Sequence, residues 1–203
     1  MIRGRTIMWK FIREYSYDAV KMLVTQCAIS MFGLVLVLAA SLAENDTLSL
    51  LSSIGASLFY LFLLYTTVWE MGAKDSISVE YGHKASMPLK GLYISAIANS
   101  INFILAIGIL LGLLLSDISF FSKLGGICKT IDIFIQSMYA GILKLQILPG
   151  TPLNSMAFVY FLTPLPAMGI SCLGYWMGTK NIRILGPLSA PVNQKKPPKG
   201  RHE

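Results

Sequence analysis

The chain has 203 residues, 54% hydrophobic and only 13% charged, with a mean hydropathy of +0.62 and a formal charge of +7. About a quarter of an ordinary soluble domain is charged, so a soluble fold of this length would lack the polar residues to cover its surface. The cations flank apolar runs instead of forming a basic face, which excludes nucleic acid as the expected partner and points to membrane topology and anionic lipid.

Residues 1–21 carry Trp9, Phe11, Tyr15 and Tyr17 among Lys10, Arg13, Glu14, Asp18 and Lys21. This basic, aromatic segment reads either as a short amphipathic helix on the inner leaflet or as an extension of the first span. The first apolar run covers 22–43. Ser41-Leu42-Ala43 has the small-x-small form of a signal-peptidase site. The basic lead and the apolar run are both longer than a signal peptide's, so a retained first helix is expected. An acidic turn, Glu44-Asn45-Asp46-Thr47, leads to a second run at 48–69.

The stretch 71–90 is the most polar internal segment and reads as a loop, with Gly72 and Gly82 permitting turns and Pro88 just ahead of the next run. Glu70, Asp75, Glu80 and His83 lie there, yet no second pair completes the three or more ligands that a metal site needs. These charges read first as solvated loop charges, and a docking surface for a cytoplasmic partner is the functional alternative for this loop. The third run, 91–115, places Ser95, Asn99 and Asn102 at spacings of four and three on one face. Amides in lipid require partners, so this stripe should face another helix or a wet cavity. Gly108 and Gly112 on the same run form a small-xxx-small pattern for close helix packing.

Within the long connection that follows, 131–148 is apolar but interrupted by Asp132, Gln136, Lys144 and Gln146. Lys129, Asp132, Gln136 and Lys144 fall near one helical stripe, which predicts an amphipathic helix lying in the outer interface or partly inserted. Pro149-Gly150-Thr151-Pro152 breaks it. The fourth run, 153–178, contains Thr163-Pro164-Leu165-Pro166, where two missing N–H donors predict a kink or local unwinding. Gly174 and Gly178 repeat the close-packing pattern, and Tyr175, Trp176, Lys180 and Arg183 read as an interfacial anchor. The tail, 186–203, is basic and proline-rich and reads as disordered, with Lys195, Lys196, Lys199 and Arg201 as candidate lipid-headgroup contacts.

Each run meets the requirement of about 20 apolar residues for a helical crossing. Fourteen of the 17 Lys and Arg fall on the side of both termini and the 71–90 loop, against Lys123, Lys129 and Lys144 opposite. The fold expected is therefore an all-α integral membrane protein with four transmembrane helices, both termini cytoplasmic, in a membrane domain spanning 22–185.

The runs themselves hold no Asp, Glu, Lys, Arg or His, and Cys27, Cys128 and Cys172 have no paired spacing. No catalytic constellation, cofactor motif or metal set is legible. The expected function is a non-enzymatic multi-pass subunit or scaffold of a cell-membrane complex, self-associating or bound to another membrane protein. The alternative is a transporter or permease component for a neutral or weakly polar solute.

Overall fold

A computed structural model describes residues 2–82, 87–148 and 150–182, with side chains at 16–82, 87–146 and 150–182. The chain opens with α1, Ile2–Leu42. One helix thus runs from the N-terminal segment through the first apolar run, so residues 2–21 extend that run's helix and do not form a separate one. A tight turn follows, with Glu44 at φ 50°. Helix α2, Asp46–Glu80, starts at Asn45, whose Oδ1 accepts the Leu48 N–H at 2.9 Å. That cap satisfies one of the free amides of the first turn.

α2 continues eleven residues past the expected end of the second span. The polar stretch read as a loop is helical as far as Glu80, and Gly72 and Asp75 in it hold the last helix through Tyr175. It stops at Gly82, whose φ of 73° and N–H to the Val79 carbonyl close the helix in the left-handed conformation glycine tolerates. Gly72, expected to permit a turn, is a buried packing position instead.

The third apolar run is two helices, α3 Lys90–Ala98 and α4 Ser100–Leu114, bent by 50° at Asn99. Asn99 Nδ2 donates to the Ser95 carbonyl at 2.8 Å, the same oxygen that takes the Asn99 backbone N–H. A side chain inserted into the ladder this way competes with the next main-chain bond and bends the helix.

The expected helix at 131–148 is replaced. Helix α5, Ser119–Ile135, starts earlier and lies antiparallel to α4, and the chain then turns through a 3-10 segment, Ser137–Tyr139, into the short α6, Ala140–Leu143. Small residues decide the position of α5. A β-carbon on Gly112 would fall 2.5 Å from the Gly125 Cα, and Gly108 abuts the Cys128 side chain. Only glycine lets the two backbones approach so closely.

A small antiparallel pair follows, β1 Gln146–Leu148 with β2 Thr151–Pro152, turning at Gly150 (φ 78°), where an all-α fold was expected. A 3-10 turn, Leu153–Ser155, leads to α7 Val159–Leu162 and α8 Leu165–Thr179. The expected fourth run therefore starts non-helically and is divided at the prolines.

Residues buried at the centre include Tyr60, Leu64 and Val68 of α2, Ile94, Ala106, Met138, Tyr160 and Ala167. Large apolar side chains also cover the outside. Val35 of α1 is 64% exposed, Leu58 of α2 62% and Ile104 of α4 65%, while Ser30, Ser53, Ser95 and Asn102 are fully buried. Apolar outside and polar inside reverses the soluble pattern and suits lipid. By length and composition α1 and α2 are able to cross a bilayer, and so is the bent α3–α4 pair taken as one span. The chain has the character of a membrane protein.

Candidate functional site within the buried polar layer

The stripe expected on the third run lies at the bend between α3 and α4, and α1 supplies a partner that periodicity did not reveal. Asn102 Nδ2 donates to Asn99 Oδ1 at 2.9 Å and to Gln26 Oε1 at 3.3 Å. Asn99 Nδ2 reaches Ser95 Oγ at 3.3 Å as well as the Ser95 carbonyl. Gln26, Ser95, Asn99 and Asn102 are each at most 2% exposed. The four side chains form a buried hydrogen-bonded chain from α1 through α4 to α3, with Asn102 Oδ1 left without a partner among the described residues. Its chemistry is that of helix-to-helix attachment.

The second expected break adjoins the first. Gly91 of α3 packs on Ser171 and Tyr175 of α8. Carried along this antiparallel pair, that register sets Asn99 level with Thr163–Pro166. Pro164 has no N–H to give the Tyr160 carbonyl, and Thr163 Oγ1 takes that oxygen at 3.0 Å. Helical bonding resumes with the Met168 N–H on the Pro164 carbonyl. The proline break is thus repaired locally, and two neighbouring helices are interrupted at one depth.

The glycines divide into two seams. Gly108 and Gly112 face α5, as described. Gly174 and Gly178 face α2, where a β-carbon on Gly178 would collide with the Trp69 carbonyl, and Gly72 returns the contact against Tyr175. Below this seam, Asp75 Oδ2 accepts from Lys90 Nζ at 2.5 Å and from Tyr175 Oη at 2.9 Å, tying α2, α3 and α8 together. Trp69 Nε1 donates to the Ile182 carbonyl at 2.8 Å and fastens the residues just after α8 to α2. Around this corner Asp75, Glu80, Pro88, Trp176 and Lys180 line a cleft of about 400 Å³. Glu70 stands exposed on α2, apart from it. His83 and the tail cations Lys195, Lys196, Lys199 and Arg201 lie outside the described residues.

The segment from α5 to α6 holds the groups that sequence reasoning missed. Gly33 of α1 seats Met138 of the turn, and Ser57 Oγ of α2 donates to the Met138 carbonyl at 3.3 Å. Ser57 lies about 17 Å along α2 from its start at ~1.5 Å per residue. The turn is therefore level with mid-span, and the chain climbs back as α6. Gly141 N–H donates to Ser53 Oγ, and Lys144 Nζ reaches Ser41 Oγ beside the α1–α2 turn at 3.1 Å. Ser30 Oγ donates to the Ile135 carbonyl at 2.5 Å, and Ser137 Oγ donates to the Ser30 carbonyl. Serines of α1 and α2 thus receive the main chain of a hairpin inserted beside them. Non-helical backbone at such depth needs that protein enclosure. The serines at 49, 53 and 57, four residues apart, were the available signal.

At the hairpin's foot Asp132 is fully buried, with Oδ1 accepting from Gln136 Nε2 at 2.7 Å. Asp132 Oδ2 and Gln136 Oε1 have no hydrogen-bond partner among the described residues. Among those residues there is no cluster of three or more His, Cys, Asp or Glu able to hold a metal.

Comparison with known protein families, with curated proteins and with solved structures finds no match to this chain.

Proposed function

We propose that the chain is a non-enzymatic, multi-pass subunit or scaffold of a cell-membrane complex. It crosses four times, through α1, α2, the α3–α4 pair and the α7–α8 pair, with both termini cytoplasmic. The charge distribution supports that orientation: the end carrying the α1–α2 turn has only Lys123, Lys129 and Lys144 as cations. The observation that carries the reading is the Gln26–Asn102–Asn99–Ser95 chain. Its amides bond one another across α1, α3 and α4, and each residue is at most 2% exposed, which favours helix attachment over a solute path. Partner contacts then fall to the apolar exterior and to the cytoplasmic end, where α2 extends beyond the membrane and the 400 Å³ cleft lies. The inner leaflet's anionic lipid is a partner of the flanking cations.

The test is purification of the tagged full chain from its host in mild detergent, with quantitation of what copurifies. A stoichiometric membrane or cytoplasmic partner, released by charge reversal at Glu80 and Lys180, supports the subunit role. A lone homo-oligomer whose Asn99→Ala/Asn102→Ala variant assembles normally but loses solute flux contradicts it.

A second reading, a transporter or permease component for a neutral or weakly polar solute, draws support from the paired breaks at Asn99 and Pro164. Interrupted helices side by side are a feature of carrier binding sites.

A further inference from the structure

Asp132 is set apart from every other carboxylate described here. It combines complete burial, an oxygen without a partner among the described residues and a place one helical turn beyond the lining of an opening. That opening is a cleft of about 170 Å³ at the end carrying the α1–α2 turn, lined by Gly112 of α4, by Ser122, Gly125, Gly126 and Lys129 of α5, and by Tyr160 of α7. The α5 residues follow one another at helical spacing. Continuing the same face down by one turn, about 4.5 Å along the axis, leads from Lys129 to Asp132, and one turn more leads to Gln136. The cleft thus points at the buried acceptor pair, Asp132 Oδ2 and Gln136 Oε1.

Two facts select the ligand. Asp132 has no exposed surface, so a metal ion or an organic solute has no volume beside it. The cleft's lining carries Lys129 and no carboxylate, which discourages cations from collecting there. A proton needs no volume, and an ionised carboxylate in dry surroundings is costly.

We propose that Asp132 is a proton-binding site reached from the cleft at the turn end. Because Oδ2 is sealed from the cleft, exchange requires a local opening of the single turn between Lys129 and Asp132 that admits a water. A hydronium ion arriving there gives its proton to Oδ2, forming the O–H bond of the neutral acid and leaving water, and release reverses the step. The surrounding groups suit that exchange. Among the described residues, Tyr160 on α7 senses the Asp132 charge and Lys129 lies one turn up α5, with the Cys128 thiol turned toward Gly108. α4 contributes no titratable side chain, and α1 presents Ser30 and Gly33. No carboxylate therefore competes for the proton. The site goes beyond the scaffold reading and is independent of what the complex does.

The test uses the full chain in lipid vesicles with the turn end outward, observed by infrared difference spectroscopy as pH is stepped on either side. The C=O stretch of a protonated carboxylic acid is expected to persist at pH values where exposed carboxylates are ionised. It should respond to the outer step, remain in Asp117→Asn and vanish in Asp132→Asn. Gly126→Trp, which fills open space at the cleft, should slow the response several-fold. An unchanged band in Asp132→Asn, no such band in the wild type, or a response only to the inner step overturns the proposal. If Asp132→Asn does not fold, the wild-type band and the Gly126→Trp rate decide. A missing band or an unaltered rate then counts against the site.

Discussion

Gly141 and Ser53 meet at 2.6 Å, the glycine N–H donating to the serine hydroxyl, with no room for a side chain between them. A β-carbon on Gly141 would collide with the Ser49 carbonyl and would lie 2.6 Å from Ser53 Oγ. The contact fastens the returning arm of the hairpin to α2.

Gly141→Val should therefore be among the most damaging changes in the hairpin. Forcing atoms into a packed site costs roughly 1–3 kcal/mol. Ser53→Ala should cost about 1–3 kcal/mol by a different route, leaving the buried Gly141 N–H unpaired. Gly126→Ala is the control, because nothing lies within 4 Å of its added carbon. It should leave stability unchanged or raise it by up to about 1 kcal/mol through helix propensity. Thermal unfolding in detergent gives the order, and equal effects at 126 and 141 would remove the hairpin from the account.

The node at Asp75 predicts an ordering of three variants. Lys90 and Asp75 have side chains 6% and 14% exposed, so neither charge is well solvated without the other. Lys90→Met removes the countercharge and leaves the carboxylate with Tyr175 Oη still donating, so the loss should fall below the roughly 3–5 kcal/mol of a fully broken buried pair. Tyr175→Phe removes one charge-assisted bond, about 1.5–3 kcal/mol. Asp75→Leu combined with Lys90→Met should be milder than Lys90→Met alone, since replacing both members of a buried pair is often neutral. A double-mutant cycle read by thermal melting checks this, and additive losses would mean the pair is not coupled.

The bend at Asn99 should follow its side chain. Asn99→Leu removes the side-chain bond that shares the Ser95 carbonyl with the main-chain ladder, so the 50° angle between α3 and α4 should narrow. Spin labels on the exposed positions Tyr93 and Ile107 would report a longer separation by pulsed electron resonance. Asn102→Leu should leave the angle alone and cost on the order of 1 kcal/mol, given about 0.6 kcal/mol for an average interhelical bond in a membrane bundle. An unchanged distance in Asn99→Leu would assign the bend to packing.

What the sequence disclosed depended on range. Apolar length announced α1, α2 and the third run, and the spacing of Ser95, Asn99 and Asn102 announced an inward face. Nothing local announced Gln26, an amide 76 residues from its partner Asn102. The course of α2 past Trp69 was hidden because Lys74, Asp75, Ser76 and Ser78 look like loop. The helix is held there by contacts with α8, in which Gly72 and Asp75 carry the register. The hairpin was hidden for the same reason. Residues 131–148 have the composition of an interfacial helix, and their insertion is fixed by Ser30, Ser53 and Ser57 on other elements. Asp132 consequently looked like an interface charge, when its place is beneath a cleft in the protein's interior.

The α2–α8 seam gives the sharpest test of close packing. Gly178 leaves no space for a β-carbon beside the Trp69 carbonyl, and Gly72 is equally confined by the Tyr175 carbonyl. Both obstacles are backbone, which cannot rotate out of the way, so relief requires the helices to separate. Separation would also draw Trp69 from the Ile182 carbonyl and Tyr175 from Asp75. Gly178→Leu and Gly72→Leu should each abolish the folded monodisperse species in detergent, losing several anchoring contacts together. Gly169→Leu lies on the same helix in open space and should change stability by no more than about 0.5 kcal/mol, as surface substitutions do. Size-exclusion profiles with melting curves separate these outcomes. If Gly178→Leu runs and melts like Gly169→Leu, α8 does not pack on α2 as described. The clasp of Asp75 by Lys90 and Tyr175 would then lose its basis.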